Sequence, residues 1–553
     1  MRVNGIGVGR AVAVGPVKRM PDPLPEPSET ATHDGEDAEI ARTRSALQQV
    51  SAELTDRGNR AGGDAKNVLD AQALMAEDPT LVDDVIARIK AGRTGQRAVH
   101  EAFLEFQVML VGLGGYMAER AADLGDVSQR VIARLTGVPA PGVPESDKPF
   151  ILVARDLAPA DTALLDLDKV QALITRDGGP TSHTAILARA RSIPAIVGVG
   201  STDELTNDRM VIADASDGSI LLDPSDDEVA DAKRRIEERR AAANAPITPG
   251  ALADGTPVQL LANLGSPKDA AKAAELGAEG VGLFRTEFLF LDSSSAPTVQ
   301  QQKEQYVALL KAFPGKKVVV RALDAGADKP LAFLNDSEEE NPALGLRGLR
   351  VLRAKEDILR EQLTALVEAA KETEAKLWVM APMVSEPEES EYFTSLAHEL
   401  GVEVAGSMVE VPSAALLAGQ ILETSDFVSI GTNDLTQYTL AADRLLASVG
   451  HFQDPWHPAV LRLVAEVGKA GAESGKSVGI CGEAAADPAL AVVLVGLGAK
   501  SLSMTPAALA DVRAELLTVT MEQAQARAQA ALRASSAAAA REAASAAAEP
   551  ANA

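Results

Sequence analysis

The stretch Val258–Phe288, VQLLANLGSPKDAAKAAELGAEGVGLFRTEF, sets the architecture of the larger part of the chain. A β-rich run, VQLLANLG, is followed by DAAKAAELGAE, which suits an amphipathic helix, and then by a second β-rich run, GVGLFRTEF. The same rhythm continues through KVVVRALDAG, LWVMAPMV, EVAGSMVEV, FVSIGTNDL, SVGICGEA and SLSMT, with helical stretches such as PAVLRLVAEVGKAG between them. Eight such units in about 270 residues predict a (β/α)8 TIM barrel over 251–520.

Working towards the N-terminus, PSDDEVADAKRRIEERRAAANAP reads as one polar helix, 225–245, stopped by Pro246. Ser225 and Glu228 have the spacing of a capping box. So few apolar positions fit a linker helix between domains. Before it, FILVARDL, VQALITRD, IPAIVGVG, RMVIADA and SILLD are short β-rich runs, which predict an α/β domain over 146–223 completed by strands in residues 1–20. The intervening 27–140 reads as a helical bundle, with helices over Asp37–Thr55, Asp64–Glu77, Thr80–Ala91 and Gly95–Leu135. At the other end, 521–553 is an alanine-rich tail. It has room for one more helix but reads as low-complexity and frayed beyond about Ser535. The fold class is thus multidomain α/β: an α/β domain with an inserted helical bundle, a linker helix and a C-terminal barrel.

The bulk numbers agree with that layout. The chain has 553 residues, of which 46% are apolar and 24% charged, ordinary values for globular proteins. With 53 basic against 79 acidic residues the net charge is −26, which argues against a nucleic-acid partner. One cysteine, Cys481, excludes an internal disulfide and suits a reducing compartment. No apolar run reaches the length of a membrane span, and the glycine-broken N-terminus reads as a strand rather than a signal peptide, so the expected location is cytoplasmic.

In a barrel of this type the active site forms at the C-terminal ends of the strands. There the sequence places Asn263 and Arg285 on the first two strands. The third is expected to begin at or just before Arg321 and run to Asp324. Glu410 ends the fifth, Asn433 and Asp434 the sixth, and Cys481 the seventh, while Arg347 and Arg444 lie in loops that follow strands. Arginine forks match phosphate and carboxylate oxygens. Glu410 and Asp434 suit a hard divalent ion. The set describes a site for a small, multiply anionic substrate with Mg2+. The competing reading is a rim of surface salt bridges. Cys481 likewise has two readings, a small buried hydrophobe or a reacting group at the strand end.

Gly178–Gly198, GGPTSHTAILARARSIPAIVG, holds one of only six histidines. Gly178 and Gly179 permit a tight turn and close approach of another group. Thr181 or Ser182 is placed to cap a helix beginning near His183. A helix start disfavours imidazolium and leaves the ring neutral and able to attack. Once phosphorylated, the ring carries an anion that the free N–H groups and hydroxyls can bind. The alternative is a histidine that merely caps or packs there. His33, His100, His398, His451 and His457 lack such surroundings and read as structural or surface residues.

These motifs closely resemble those of the enzyme I family of the bacterial sugar phosphotransferase system, the phosphoenolpyruvate–protein phosphotransferases. GGPTSHTAILAR with IPAIVG resembles the family's phosphohistidine motif. GVGLFRTEFLF, VRALDAGADK, ENPALGLRGLR, MVEVPSAA, SIGTNDLTQYTLAADR and GICGEAAAD resemble its barrel motifs, in order, with the likeness running to about residue 520. The resemblance implies that His183 accepts the phosphoryl group of phosphoenolpyruvate. It implies that Arg285, Arg321, Asn433 and Arg444 grip the phosphate, with Arg347 lining the site, and that Glu410 and Asp434 hold Mg2+. Cys481 would protonate the enolpyruvate carbon. The helical bundle would dock the carrier protein HPr around Ala71–Pro79 and Glu119–Val127, and the barrels would form a homodimer. Pro180, where the family often has arginine, and Ala327, where it often has glycine, depart from the pattern.

Two rival functions follow from the same residues. A phosphohistidine enzyme driven by ATP would need a nucleotide-binding domain, yet the first 140 residues are largely helical and contain no glycine-rich nucleotide loop. A relay protein without turnover would be expected to lack one of the arginines, acids or Cys481, and all are present.

Overall fold

The computed structural model of the chain describes residues 1–547 other than 10, 34, 62, 114, 141, 145, 158–164, 167, 180–183, 186, 187, 189–192, 244, 291–295, 326–330, 332, 333, 335–338 and 445. Two compact units are present, Met1–Glu238 and Arg239–Ala553.

The first unit contains an eight-stranded sheet and a helical bundle. Its strands are β1 (Arg2–Asn4), β2 (Ile6–Val8), β3 (Val12–Arg19), β4 (Phe150–Ala154), β5 (Val170–Thr175), β6 (Ala195–Val197), β7 (Met210–Asp214) and β8 (Ser219–Leu222), in the order β1-β8-β7-β3-β4-β5-β6-β2. The N-terminal segment gives three strands rather than a strand pair. β3 lies between β7 and β4, while β1 and β2 form the two edges against β8 and β6. The side chains of β4 alternate between two apolar layers. Phe150, Leu152 and Ala154 enter one, Ile151 and Val153 the other, so a continuous apolar run is buried on both faces.

The bundle comprises α1 (Glu36–Ala61), α2 (Gly63–Ala76), α3 (Pro79–Lys90), α4 (Gly95–Leu113) and α5 (Gly115–Thr136). α1 runs past the expected Thr55, and the stretch read as helical from Gly95 to Leu135 carries two helices. Asp78 caps α3 by accepting from the N–H groups of Thr80 (2.9 Å) and Leu81 (3.2 Å), with Pro79 in the first turn where its missing N–H costs nothing. Leu47, Leu54, Leu69, Val85, Ile89, Phe103, Val127 and Val131 form part of one buried core. α6 (Asp226–Ala243) begins with the Ser225–Glu228 box, the Ser225 N–H donating to Glu228 Oε2 at 2.8 Å. The boundary between the two units falls within it.

The second unit is a closed barrel of eight parallel strands: β9 (Gln259–Leu264), β10 (Gly280–Arg285), β11 (Lys317–Arg321), β12 (Lys376–Val384), β13 (Ala405–Val409), β14 (Phe427–Ile430), β15 (Ser477–Ile480) and β16 (Ser501–Met504), which returns to pair with β9. Period-two alternation divides the side chains. Leu283, Val319, Met380, Met408 and Phe427 fill the interior with Cys481, whereas Phe284, Val318, Val320, Val379 and Val428 face the surrounding helices.

The alanine-rich tail is ordered further than expected. Helices span Met521–Leu532 and Ala537–Ala546, the second capped by Ser536, and Ala524, Ala528, Ala531, Ala540 and Ala544 are buried. Alanines four apart share a helix face, and their small size allows close packing. A Cβ on Gly496 would lie 2.2 Å from the Ala524 carbonyl oxygen. Over the described residues, which run to 547, low complexity encodes a packed stripe.

Candidate active site

Because all barrel strands run the same way, their last residues gather at one mouth. Arg285 ends β10 and Arg321 ends β11. The expected start of the third strand at Arg321 is therefore its end. The apolar run VVVRAL marks strand character without marking where pairing stops, and the ladder gives out after the Arg321–Met380 pair. Glu410 and Cys481 directly follow β13 and β15. Asn433 and Asp434 are not strand ends. They lie in the first turn of helix Thr432–Leu440, after Gly431 turns the chain out of β14.

Around this mouth, cations and anions alternate. Glu287 pairs with Arg321, whose Nη1 lies 3.1 Å from Asp324 Oδ2. Asp324 also accepts from Arg347, at 3.3 Å from Nε and 3.1 Å from Nη2. Arg347 Nη1 donates to Asp434 Oδ1 at 2.8 Å and to the Tyr438 hydroxyl at 3.1 Å. Asp434 Oδ2 accepts from Arg444 Nη1 at 3.1 Å. Arg321, Arg347, Glu287, Asp324 and Asp434 are all buried. Charges so placed are tolerated only when each is paired. Arg285, at the edge of this ladder, is partly exposed, and its side chain makes no hydrogen bond or ion pair among the described residues.

The titration of these groups follows from burial and neighbours. Burial opposes the charge on Arg321 and Arg347, but the carboxylates of Glu287 and Asp324 around Arg321, and of Asp324 and Asp434 around Arg347, raise both guanidinium pKa values further. Burial works against the Asp434 carboxylate as well, yet Arg347 and Arg444 hold its pKa below the usual value. Glu410 goes the other way, raised first by burial and then by the negative charge of Asp434.

Backbone detail fixes Glu410. Its Oε1 accepts the Met383 N–H at 2.8 Å, and Met383 adopts φ +54°, a left-handed conformation uncommon for a residue with a side chain. A Cβ on Gly431 would stand 2.8 Å from Glu410 Oε2, so glycine there leaves the carboxylate its room. Asn433 Oδ1 accepts the Glu483 N–H at 3.0 Å.

Cys481 is fully buried beneath the mouth, its Sγ 3.5 Å from the Ile430 carbonyl oxygen, and burial pushes its thiol up to about 12. The thiol is therefore protonated at neutral pH.

His183, with Pro180, Thr181 and Ser182, lies outside the described residues, as do Gly326 and Ala327. On one flank, Gly178 has φ +95° and follows β5, and its carbonyl oxygen lies within 2.9 Å of where a Cβ on Gly198 would sit. On the other, Thr184 Oγ1 donates to Asp156 Oδ1 at 3.0 Å and Ala185 enters the core. Of the remaining histidines, His33 bonds the Ile89 carbonyl, His398 bonds the Val402 carbonyl, and His457 caps helix Pro458–Ser474. In the bundle, Gln72 donates to Asp123 at 3.1 Å in the interior, while Leu74 is 74% exposed and Val108 of α4 66% exposed.

Family profiles and relatives match the chain along most of its length. A profile described as the PEP-utilising enzyme, PEP-binding domain matches residues 239–521; those for the mobile domain and the N-terminal part of PEP-utilising enzymes match 146–218 and 4–120. The phosphoenolpyruvate-protein phosphotransferase of Streptomyces coelicolor is 51% identical over 96% of this chain and 96% of that protein. The chain belongs to the phosphoenolpyruvate-protein phosphotransferase family. Family members from Staphylococcus carnosus and Geobacillus stearothermophilus are 38% identical, over 93% and 94% of the chain and equal shares of their own lengths. A solution structure described as Enzyme I (nEIt) is 30% identical over 43% of this chain and 99% of that one, with a TM-score of 0.39.

As a phosphoenolpyruvate-protein phosphotransferase, the chain is an enzyme whose substrate carries a phosphate and a carboxylate. Among the described residues no group of three or more His, Cys, Asp and Glu side chains is gathered as a metal cage. Glu410 and Asp434 nonetheless bring hard oxygen donors into one buried region, where burial first and the charge of Asp434 second raise the Glu410 pKa, and a cation there would favour the charged carboxylate. Mg2+ takes one or two carboxylates plus substrate oxygens, so the donor set fits.

Glu287 and Asp324 were missed as members of this site by sequence reasoning. Both stand within three residues of a named arginine, in RTE and RALD, and that proximity was the available signal.

Proposed function

We propose that the enzyme moves the phosphoryl group of phosphoenolpyruvate onto His183 Nε2, releasing pyruvate, and then passes it to a histidine of the carrier protein HPr. The observation that carries this reading is the buried ladder of paired guanidiniums and carboxylates beside the unpaired Arg285 at the strand ends.

Arg285, Arg321, Asn433 and Arg444 bind the substrate phosphate and Arg347 lines the site. Arg321, Arg347, Arg444 and Asn433 are held by their partners before substrate arrives, so little reorganisation of these groups remains for the reacting step. Glu410 and Asp434 would hold Mg2+, which supplies neutralising charge at phosphate oxygens when bound. The His183–phosphorus bond forms as the phosphorus–enol oxygen bond breaks. The leaving enolate then takes a proton on carbon, supplied by the Cys481 thiol. HPr docks on the helical bundle around Ala71–Pro79 and Glu119–Val127, and the exposed Leu74 supports the reading. A homodimer through the barrel would cover Leu344 and Leu416, both exposed. His183 must meet both the barrel mouth and HPr, and the linker helix α6 is where such a swing would turn.

Incubation with labelled phosphoenolpyruvate, Mg2+ and HPr tests the reading. Label is expected on His183 and to vanish in His183→Ala. Equal labelling in that variant, or labelling by ATP, would end it.

A further inference from the structure

The tail beyond the matched family profile touches the segment that carries Arg444. The profile ends at residue 521, and helix Ala537–Ala546 lies wholly past it. Ala540 and Ala544 bury the apolar stripe of this helix, and between them stands Arg541. Its Nη2 donates to both oxygens of Asp454, each at 3.0 Å, and its guanidinium carbon lies 5.4 Å from the centre of the Trp456 ring. Alanine packing alone leaves the helix free to slide along its stripe. A forked cation over an aromatic face, paired with one carboxylate, fixes a single register.

Asp454 and Trp456 are in turn tied down. Asp454 Oδ1 accepts the Trp456 N–H at 3.0 Å, and its carbonyl accepts the His457 N–H at 3.0 Å. Trp456 is buried, its Nε1–H donating to Asp487 Oδ2 at 2.8 Å. The neighbouring Gln453 reaches back, Nε2 donating to the Ala442 carbonyl at 2.5 Å. Two residues on, Arg444 donates its N–H to Gln437 Oε1 at 3.0 Å and its guanidinium to Asp434. Arg541 therefore connects through Asp454 and Gln453 to the backbone that aims Arg444.

We propose that Arg541 is a positioning residue for phosphoenolpyruvate: the C-terminal helix clamps the Ala442–His457 segment, and the clamp holds Arg444 in its phosphate-binding place. This rests on the reading of Arg444 as a phosphate ligand. Arg541 touches neither substrate nor reacting atoms and acts through Asp454. An exposed ion pair with a ring contact is a weak clamp, so the effect is on binding and modest.

Steady-state kinetics of the full chain test it. Arg541→Ala is expected to raise the KM for phosphoenolpyruvate about three- to tenfold with kcat within about twofold. Arg541→Lys, which keeps the charge opposite Asp454, should recover part of that loss, and Asp454→Asn should reproduce it. A simple loss of stability would lower the melting temperature without this split between KM and kcat. An unchanged KM in both Arg541→Ala and Asp454→Asn, alongside a raised KM in Arg444→Ala, overturns the clamp. An unchanged KM in Arg444→Ala overturns the reading beneath it.

Discussion

One strand, β11, carries a half-buried cation at its start and a buried one at its end, and the two fare differently. Arg321 at the end of the strand and Lys317 at its start lie four residues apart, both directed to the barrel interior. Arg321 meets Glu287 and Asp324, and its charge is reinforced although burial opposes it. Lys317 lines a small cavity with Trp378, Phe427, Ser429, Ser501 and Ser503. Its Nζ sits 4.7 Å from the Trp378 ring centre, and burial pushes its pKa down to about 8. The mouth is a place where charge is kept and used, the floor a place where charge is merely tolerated. The difference is set by carboxylates, not by depth.

Substitutions at the two ends should separate accordingly. Arg347→Met leaves Asp324 and Asp434 without their shared partner. It should cost about 3–5 kcal/mol in denaturant unfolding and slow pyruvate release about 100-fold or more. A variant as stable as the parent would break the contrast outright. Cys481→Ala, just beneath the mouth, should slow pyruvate formation about 100-fold. Phosphate exchange with phospho-HPr should stay largely intact, and equal loss of both reactions removes the proton-donor role. Gly431→Ala is tolerated by its backbone, at φ −88°, but crowds Glu410. The Mg2+ concentration giving half-maximal rate should rise about tenfold; an unmoved titration would mean Glu410 does not serve the metal.

The smallest effect belongs to the floor. Folded Lys317 holds its proton less tightly than the unfolded chain does, so its charge opposes folding fully below about pH 8. That opposition fades as pH climbs from about 8 towards the ordinary value of 10.5. Lys317→Met should therefore raise stability at pH 7 by about 0.5–1 kcal/mol, discounted for partial exposure. It should also flatten the alkaline rise in melting temperature and leave turnover unchanged. A large loss of turnover would mean that the floor shares in the chemistry.

Much of this was readable in the residues. The βα rhythm announced the barrel, because period-two runs and helical stretches differ locally, and strand ends placed Arg285, Glu410 and Cys481. Partnership was not readable. Arg347 joins Asp324 and Asp434 across 23 and 87 residues, and no local pattern encodes a contact that only barrel closure creates. Strand limits failed at Arg321 and at Asn433, where apolar or turn-forming neighbours permit either element. The tail misled for the opposite reason: alanine has little pattern of its own, and what makes those helices order is the barrel surface they cover.

The ladder at the mouth also shapes how the substrate arrives. Its guanidiniums and carboxylates stand one to one, so their fields cancel a few ångströms away, on a chain whose overall charge is −26. An approaching trianion thus meets the acidic bulk with only the partly exposed Arg285, outside these pairs, to oppose it, and it feels the paired arginines only within hydrogen-bond reach. Such a mouth selects by fit at contact and gains little by attraction from afar.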